Sequence, residues 1–164
     1  GETSWNIEGF TIDRWYLEHP GNGLFLSSEG ITINPTENII VFVQYVPKEI
    51  RDKFIGKTLT VVATLSDGSI GYSVCVVPNY GESLDSDQRR IGTTNLKVNI
   101  YTPASAQKLT IRLLGDNITS AITVKNIALY EGEYNLDNAP IYVSKGYGAE
   151  FASCLRYFER IGSS

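Results

Sequence analysis

Three carboxylates lie close together in the longest polar stretch of the chain, and they are the first candidates for chemistry: Glu82, Asp85 and Asp87. Two carboxylates at a suitable separation catalyse glycoside hydrolysis, one as an acid and the other as a base or nucleophile. Grouped carboxylates also bind calcium, although these residues do not follow the spacing of an EF-hand loop. The alternative, which we favour, is a solvated acidic loop flanked by the arginine pair at 89–90.

The chain lacks the residues that nucleophilic catalysis and zinc binding require. The chain has no Gly-x-Ser-x-Gly motif, and its single histidine, His19, lies in a Pro-Gly turn where we expect it to be solvated. Cys75 and Cys154 together with one histidine do not make a dedicated zinc site. We expect both cysteines to be buried free thiols, and a disulfide between them is the alternative. Because these catalytic residue sets are missing from the sequence, we predict that the chain is not an enzyme.

Aromatic residues suit a different task, because a sugar ring stacks its C–H groups on an aromatic face while amide, carboxylate or guanidinium groups bind its hydroxyls. The chain has 10 Tyr, 6 Phe and 2 Trp. Tyr80 lies in the long polar stretch and Tyr101 on the outward side of a predicted strand, which makes them the best-placed candidates. Our predicted ligand-binding residues are Tyr80, Tyr101, Trp5, Tyr16 and Arg89.

The length of the chain, its net charge and its apolar segments exclude several classes of protein. A chain of 164 residues suits one domain that buries roughly 70% of the surface it exposes when unfolded. The net charge of −4 argues against a nucleic-acid-binding protein, which would carry a basic stripe. No apolar segment approaches the roughly 20 residues of a membrane-spanning helix. We therefore predict neither nucleic-acid binding nor membrane insertion.

The elements that position these residues are mostly β-strands. Residues 56–65 alternate between an apolar face and a half-apolar, threonine-rich face, which predicts a central strand with neighbours on both sides. Residues 39–46 are apolar on both faces, so we expect a fully buried strand or a subunit contact. Residues 122–130 change phase, and a β-bulge near Lys125 and Asn126 would restore the alternation.

Two helices interrupt the strand pattern. Residues 47–54 predict a connector helix of about two turns that begins at Pro47 and stops at Gly56. Residues 147–160 carry apolar side chains at helical spacing, which predicts a C-terminal amphipathic helix. We divide the chain into a sandwich at 1–134 and a tail at 135–164, an extended segment and helix that pack on the sandwich or lead to a further module.

About nine short strands separated by turns predict an all-β protein, an antiparallel β-sandwich. Connections too long for plain hairpins favour a jelly roll. Four segments then support a resemblance. They are FTIDRW at 10–15, GKTLTV at 56–61, VKNIALYEG at 124–132 and CLRYFE at 154–159. In this order they resemble the carbohydrate-binding-module-like jelly-roll domains of bacteriophage and prophage tail-fibre proteins.

The resemblance implies a non-catalytic structural module of a virion tail fibre, which recognises a host-surface glycan or supports fibre assembly. It further implies a homotrimer, no cofactor other than a structural calcium ion, and a chain that is part of a longer fibre protein. The alternative is a carbohydrate-binding module of a secreted bacterial glycoside hydrolase, which would be extracellular and would share the same fold.

Overall fold

The structure is a computed structural model of the 164-residue chain. It describes residues 30–35 and 39–138 in full, and it describes five further strands, at 4–5, 9–10, 16–20, 24–27 and 160–161, through their backbone pairing.

The described fold consists of strands and one short helix, α1. In chain order the elements are β1 (Ser4–Trp5), β2 (Gly9–Phe10), β3 (Tyr16–Pro20), β4 (Leu24–Ser27), β5 (Gly30–Ile33), β6 (Ile40–Val46), α1 (Lys48–Asp52), β7 (Thr58–Leu65), β8 (Ile70–Val76), β9 (Leu84–Asp85), β10 (Arg89–Arg90), β11 (Leu96–Thr102), β12 (Leu109–Gly115), β13 (Ile122–Glu131) and β14 (Arg160–Ile161).

The strands form two sheets of seven strands each. Sheet A has the order β1-β4-β5-β13-β7-β8, with β14 alongside β13. Sheet B has the order β10-β11-β12-β6-β3-β2, with β9 alongside β11. Neighbouring strands are antiparallel, except that β14 runs parallel to β13. The prediction of an all-β protein with two antiparallel sheets is therefore confirmed.

One hydrophobic core lies between the two sheets, because inward-facing side chains of both sheets belong to a single buried cluster. Sheet A contributes, among others, Ile31, Ile33, Leu59, Val61, Ala63, Leu65, Ile127 and Leu129. Sheet B contributes, among others, Ile40, Phe42, Val46, Leu96, Val98, Ile100, Leu109, Ile111 and Leu113. In β11 and β12, alternate residues thus face this core.

The two strands singled out by the sequence have the predicted surroundings. Strand β7 pairs with β13 on one side and with β8 on the other, so it is a central strand. Strand β6 is buried along its length except at Tyr45, which is partly exposed. In β13 the register shifts between Val124 and Asn126, so the predicted β-bulge is confirmed.

Strand β8 points its smaller side chains into the core. Gly71, Ser73 and Cys75 are buried, whereas Tyr72 is only partly buried and faces the opposite side. A Cβ atom on Gly71 would lie 2.5 Å from Cγ1 of Ile91, so the chain after β10 packs directly against this strand. The outer face of sheet A carries a second cluster, Val62, Ala128 and Tyr130 with Ile70, Tyr72 and Tyr134 beside it.

The connector helix is shorter than predicted. Helix α1 has only five residues, because Pro47 is its N-cap and the chain turns after Asp52. Gly56 follows with a φ of +78°, a conformation that favours glycine at such a stop. The C-terminal helix predicted for residues 147–160 lies outside the described residues except at its last position, where Arg160 belongs to β14 and not to a helix.

Candidate functional site

The outer face of sheet B carries a row of side chains that crosses three strands. Tyr101 of β11 lies opposite Thr110 of β12, and Thr110 lies opposite Tyr45 of β6. Directly opposed residues of antiparallel strands share a face, and two strand spacings place the tyrosine positions roughly 10 Å apart. Both tyrosines are partly exposed. We call Tyr101, Thr110 and Tyr45 the tyrosine row.

Tyr101 lies beside a cluster of polar side chains that are joined to one another by hydrogen bonds. The guanidinium carbon of Arg112 lies 4.1 Å from the centre of the Tyr101 ring. Arg112 donates through Nη2 to Asp85 Oδ1 at 2.7 Å and through Nε to Asn99 Oδ1 at 3.0 Å. Asn99 Nδ2 in turn donates to Asp85 Oδ1 at 2.6 Å. The charge of Arg112 is therefore balanced, and its position over one face of the ring is fixed.

The polar stretch between β8 and β11 positions Asp85 in this cluster. Strand β9 pairs with β11, with Asp85 opposite Tyr101. The next residue, Ser86, is buried and accepts a hydrogen bond from the Ile100 N–H at 2.8 Å. Its hydroxyl also lies 2.8 Å from that of Ser73 in sheet A. The carboxylates that first suggested chemistry thus lie on a segment attached to both sheets.

Tyr45, at the other end of the tyrosine row, has a cation of a different kind over its ring. Lys108 Nζ lies 3.8 Å from the ring centre. Within the described part of the chain Lys108 forms no ion pair. Lys108 also borders a shallow groove of about 390 Å³ at this end of the sandwich. The groove, which we call the end groove, is lined by Pro47, Lys48, Glu49, Ala106, Gln107 and Lys108.

Tyr80 lies beside α1, close to the end groove. Its ring is 40% exposed, and its hydroxyl donates a hydrogen bond to the Asp52 carboxylate. The guanidinium carbon of Arg51 lies 4.8 Å from the ring centre, and Lys48 Nζ lies 5.3 Å from it. Since Lys48 also lines the end groove, Tyr80 is joined to that groove through one side chain.

Arg51 is a fully buried cation that connects three segments. It donates to the Ala106 carbonyl at 3.0 Å and to the Pro78 carbonyl at 3.1 Å. Burial lowers the pKa of its guanidinium, and the neighbouring Asp52 carboxylate opposes that shift. These bonds fix the loop that forms one wall of the end groove relative to α1, which forms the other.

The structure brings together some of the predicted ligand-binding residues and separates others. Tyr16 is the backbone partner of Val43, so it belongs to sheet B, as Tyr101 does. Trp5 belongs to β1 at the far edge of sheet A, so it does not share a sheet with Tyr101. Arg89 belongs to β10, next to β11 in sheet B, but its guanidinium carbon lies 6.0 Å from the ring centre of Tyr72 in sheet A, away from the tyrosine row.

Sequence patterns missed Tyr45 and Lys108. The apolar run at 39–46 favoured uniform burial, and that interpretation hid the one polar ring in the run. The sequence did hold a signal for Tyr45. Because successive side chains of a strand face opposite sides, Tyr45 must face outward if Phe42 and Val46 face inward. Lys108 could be found only once β12 was known to lie next to β6.

Cys75 is a free, buried thiol, as predicted, and its burial raises its pKa to about 12. Cys154 lies outside the described residues. Among residues 30–35 and 39–138, no three His, Cys, Asp or Glu side chains come together as a metal site would require. The structural calcium ion stays a prediction, because backbone carbonyls also bind calcium.

Comparison of the chain with protein-family models, with curated proteins and with solved structures gave no match. In the part of the chain that the structure describes, no helix is both long enough and apolar enough to cross a membrane.

Proposed function

We propose that this chain is a non-catalytic carbohydrate-recognition module, a jelly roll similar to carbohydrate-binding modules, within a tail-fibre-like protein of a phage or prophage. Its ligand would be a glycan on the host surface. The observation that carries the proposal is the tyrosine row, which places two partly exposed rings on one face of sheet B in register.

The spacing of the row suits a chain of sugars. Rings on strands two apart lie roughly 10 Å from each other, so two aromatic contacts can be made along one extended oligosaccharide. The polar groups around the row match the hydroxyls that such a ligand presents. Asp85, whose side chain is 55% exposed, offers carboxylate oxygens, and Arg112 beside it offers guanidinium donors at the same face.

The environment of Asp85 supports a binding role over a catalytic one. One oxygen of its carboxylate accepts hydrogen bonds from Arg112 at 2.7 Å and from Asn99 at 2.6 Å. A carboxylate held in this way is engaged with its own partners, whereas a general acid must be free to reach the leaving oxygen of the substrate.

Fibre assembly is the second part of the proposal. Tail-fibre modules of this kind often form trimers, and we propose a homotrimer on the virion. Light scattering on a sizing column would test it, with a mass near three chains expected and a mass of one chain as the contrary result. Glycan recognition by the tyrosine row does not depend on that outcome.

The experiment that tests recognition is a glycan array of bacterial surface polysaccharides probed with the labelled protein. We expect binding to a limited set, and a loss of about tenfold or more in affinity for Tyr45→Ala and for Tyr101→Ala, since each lost ring contact is worth about 1.4 kcal/mol. Tyr72→Ala removes a partly buried tyrosine from the outer face of sheet A and serves as the matched control.

Thermal unfolding of each variant separates loss of binding from loss of fold. The proposal is wrong if no surface glycan binds. It is equally wrong if both row variants stay folded and keep the affinity of the unaltered protein.

A further inference from the structure

The two cations that cover the tyrosine row differ in how their charge is balanced. Arg112 is neutralised by Asp85 at 2.7 Å, and only 16% of its side chain is exposed. Lys108 has no carboxylate partner within the described residues, and it interacts with the face of the Tyr45 ring at 3.8 Å. At the Tyr101 end of the row the positive charge is therefore neutralised. At the Tyr45 end, Lys108 carries a positive charge that no described carboxylate pairs with, and it lies beside a groove.

The end groove adds a second cation. Lys48 lines the groove, and among the described residues it forms one ion pair, the exposed contact with Asp52 at 2.9 Å. An exposed pair one helical turn apart is weak, because water screens both charges, so Lys48 can turn toward a ligand. Glu49 is the only carboxylate among the groove-lining residues, against two lysines. The groove lining thus carries one more positive charge than negative charge, on a chain whose net charge is −4.

We propose that the end groove and the adjoining Lys108–Tyr45 pair form a subsite for an acidic sugar, a unit that carries a carboxylate such as a uronic acid. The inference rests on the proposed function and specifies the ligand class of the same site. The carboxylate would lie against Lys108 and Lys48, and the neutral units that follow it would lie over the tyrosine row.

The size of the groove fits this assignment. Its volume of about 390 Å³ is near the lower end of the roughly 300–1,000 Å³ typical of small-ligand sites, which suits one or two sugar units and not a long polymer. Gln107 supplies an amide beside the two lysines, and an amide can bind sugar hydroxyls as donor and acceptor. The remainder of the glycan would have to leave across sheet B, where Tyr45 is the first ring that it meets.

A calorimetric titration with paired ligands tests the subsite. The probes are short oligomers of galacturonate, glucuronate and mannuronate, each compared with the same oligomer after methyl esterification, which removes the charge and keeps the sugar. We expect at least one acidic oligomer to bind about tenfold or more tightly than its ester at low salt. The advantage should shrink as salt is added, because salt screens exposed charges.

Charge-removing variants locate the effect. Lys108→Gln should abolish the advantage of the acidic oligomer over its ester, and Lys48→Gln should reduce that advantage. Lys97→Gln is the matched control, because Lys97 is a lysine of sheet B that pairs with Leu114 at the far end of β11 from Tyr101. This control should keep the full advantage.

Several results would overturn the subsite. They are equal binding of acid and ester, an advantage that survives in Lys108→Gln, no binding by any acidic oligomer, and equally tight binding of a polyglutamate peptide, which would indicate general attraction of anions. None of these results contradicts glycan recognition by the tyrosine row, provided that neutral glycans bind there. Absence of binding by every glycan, charged or neutral, contradicts the proposed function itself.

Discussion

Arg112 lies over the ring of Tyr101, with its guanidinium carbon 4.1 Å from the ring centre. The same guanidinium is bonded to Asn99, whose side chain is on the outward side of β11 and is nevertheless fully buried. A ring, a cation, an amide and the carboxylate of Asp85 thus form one connected unit on the face of sheet B. Such a unit fixes the orientation of the ring before any ligand arrives.

Arg112→Ala should destabilise the protein, because it leaves the buried Asn99 side-chain oxygen without its donor. We expect the free energy of unfolding to fall by roughly 1–3 kcal/mol, measured by urea denaturation. Arg90→Ala is the control, since Arg90 is exposed on β10 and its loss should change stability by less than about 0.5 kcal/mol. Equal stability of the two variants would show that the cluster does not contribute to the fold.

Arg51→Met should loosen the end of the sandwich that contains the end groove. Methionine keeps much of the volume but leaves the Ala106 and Pro78 carbonyls without their donor, at roughly 1–3 kcal/mol for each. Hydrogen exchange should show faster exchange around residues 103–108 together with a lower melting temperature. Lys53→Met, an exposed position just after α1, should leave both unchanged, and an unaltered exchange rate in Arg51→Met would contradict this role.

Cys75 should make stability fall at high pH. Burial raises its pKa from an ordinary value of 9.0 to about 12, so above pH 9 the unfolded chain loses the thiol proton while the folded chain keeps it. That contribution is complete below pH 9 and is lost by up to about 1.4 kcal/mol per pH unit between 9 and 12. Urea denaturation between about pH 8 and 10.5 would measure it.

Cys75→Ala is the reference for this titration, because lysines and tyrosines titrate equally in both proteins. The stability difference between the unaltered protein and Cys75→Ala should be constant up to about pH 9 and should shrink above it. Parallel curves across the whole range would show that the thiol is accessible to solvent.

Deletion of Lys125 should disrupt β13, although Lys125 itself is exposed. Without the extra residue of the bulge, the second half of the strand would be turned over. Ile127 and Leu129 would then face outward, and Ala128 and Tyr130 would face the core. We expect the deletion to lower the melting temperature by tens of degrees or to prevent folding, as followed by circular dichroism. Lys125→Ala keeps the residue count and should melt within a few degrees of the unaltered protein.

The bulge shows what the sequence pattern could predict. The phase of apolar residues along β13 required an extra residue near Lys125, and the alternation in β7 identified its inward face. Strand β8 was harder, because its larger apolar side chains face outward and Gly71, Ser73 and Cys75 face inward. Close approach of Ile91 requires the small residue at Gly71, and that contact joins segments that the sequence keeps apart.

The candidate site was predictable only in part, for the same reason. Outward parity identified Tyr101, but burial of Asn99 depends on pairing between β9 and β11, which no local pattern shows. The partnership of Tyr45 with Lys108 depends on β6 and β12 being neighbours across a long stretch of chain. Trp5 was chosen by residue type, but it belongs to the other sheet. Arg89 lies on the strand next to β11, but its guanidinium extends toward Tyr72 of sheet A and not toward the row.

The most direct measurement is a map of the bound ligand on the protein by nuclear magnetic resonance, with the tightest-binding glycan titrated into the ¹⁵N-labelled chain. The account predicts that the largest amide shifts cluster on β6, β11 and β12, around Tyr45, Thr110 and Tyr101. Shifts centred on β7 and β8 of sheet A, or no shifts with any glycan, would contradict the assignment of the tyrosine row as the recognition surface.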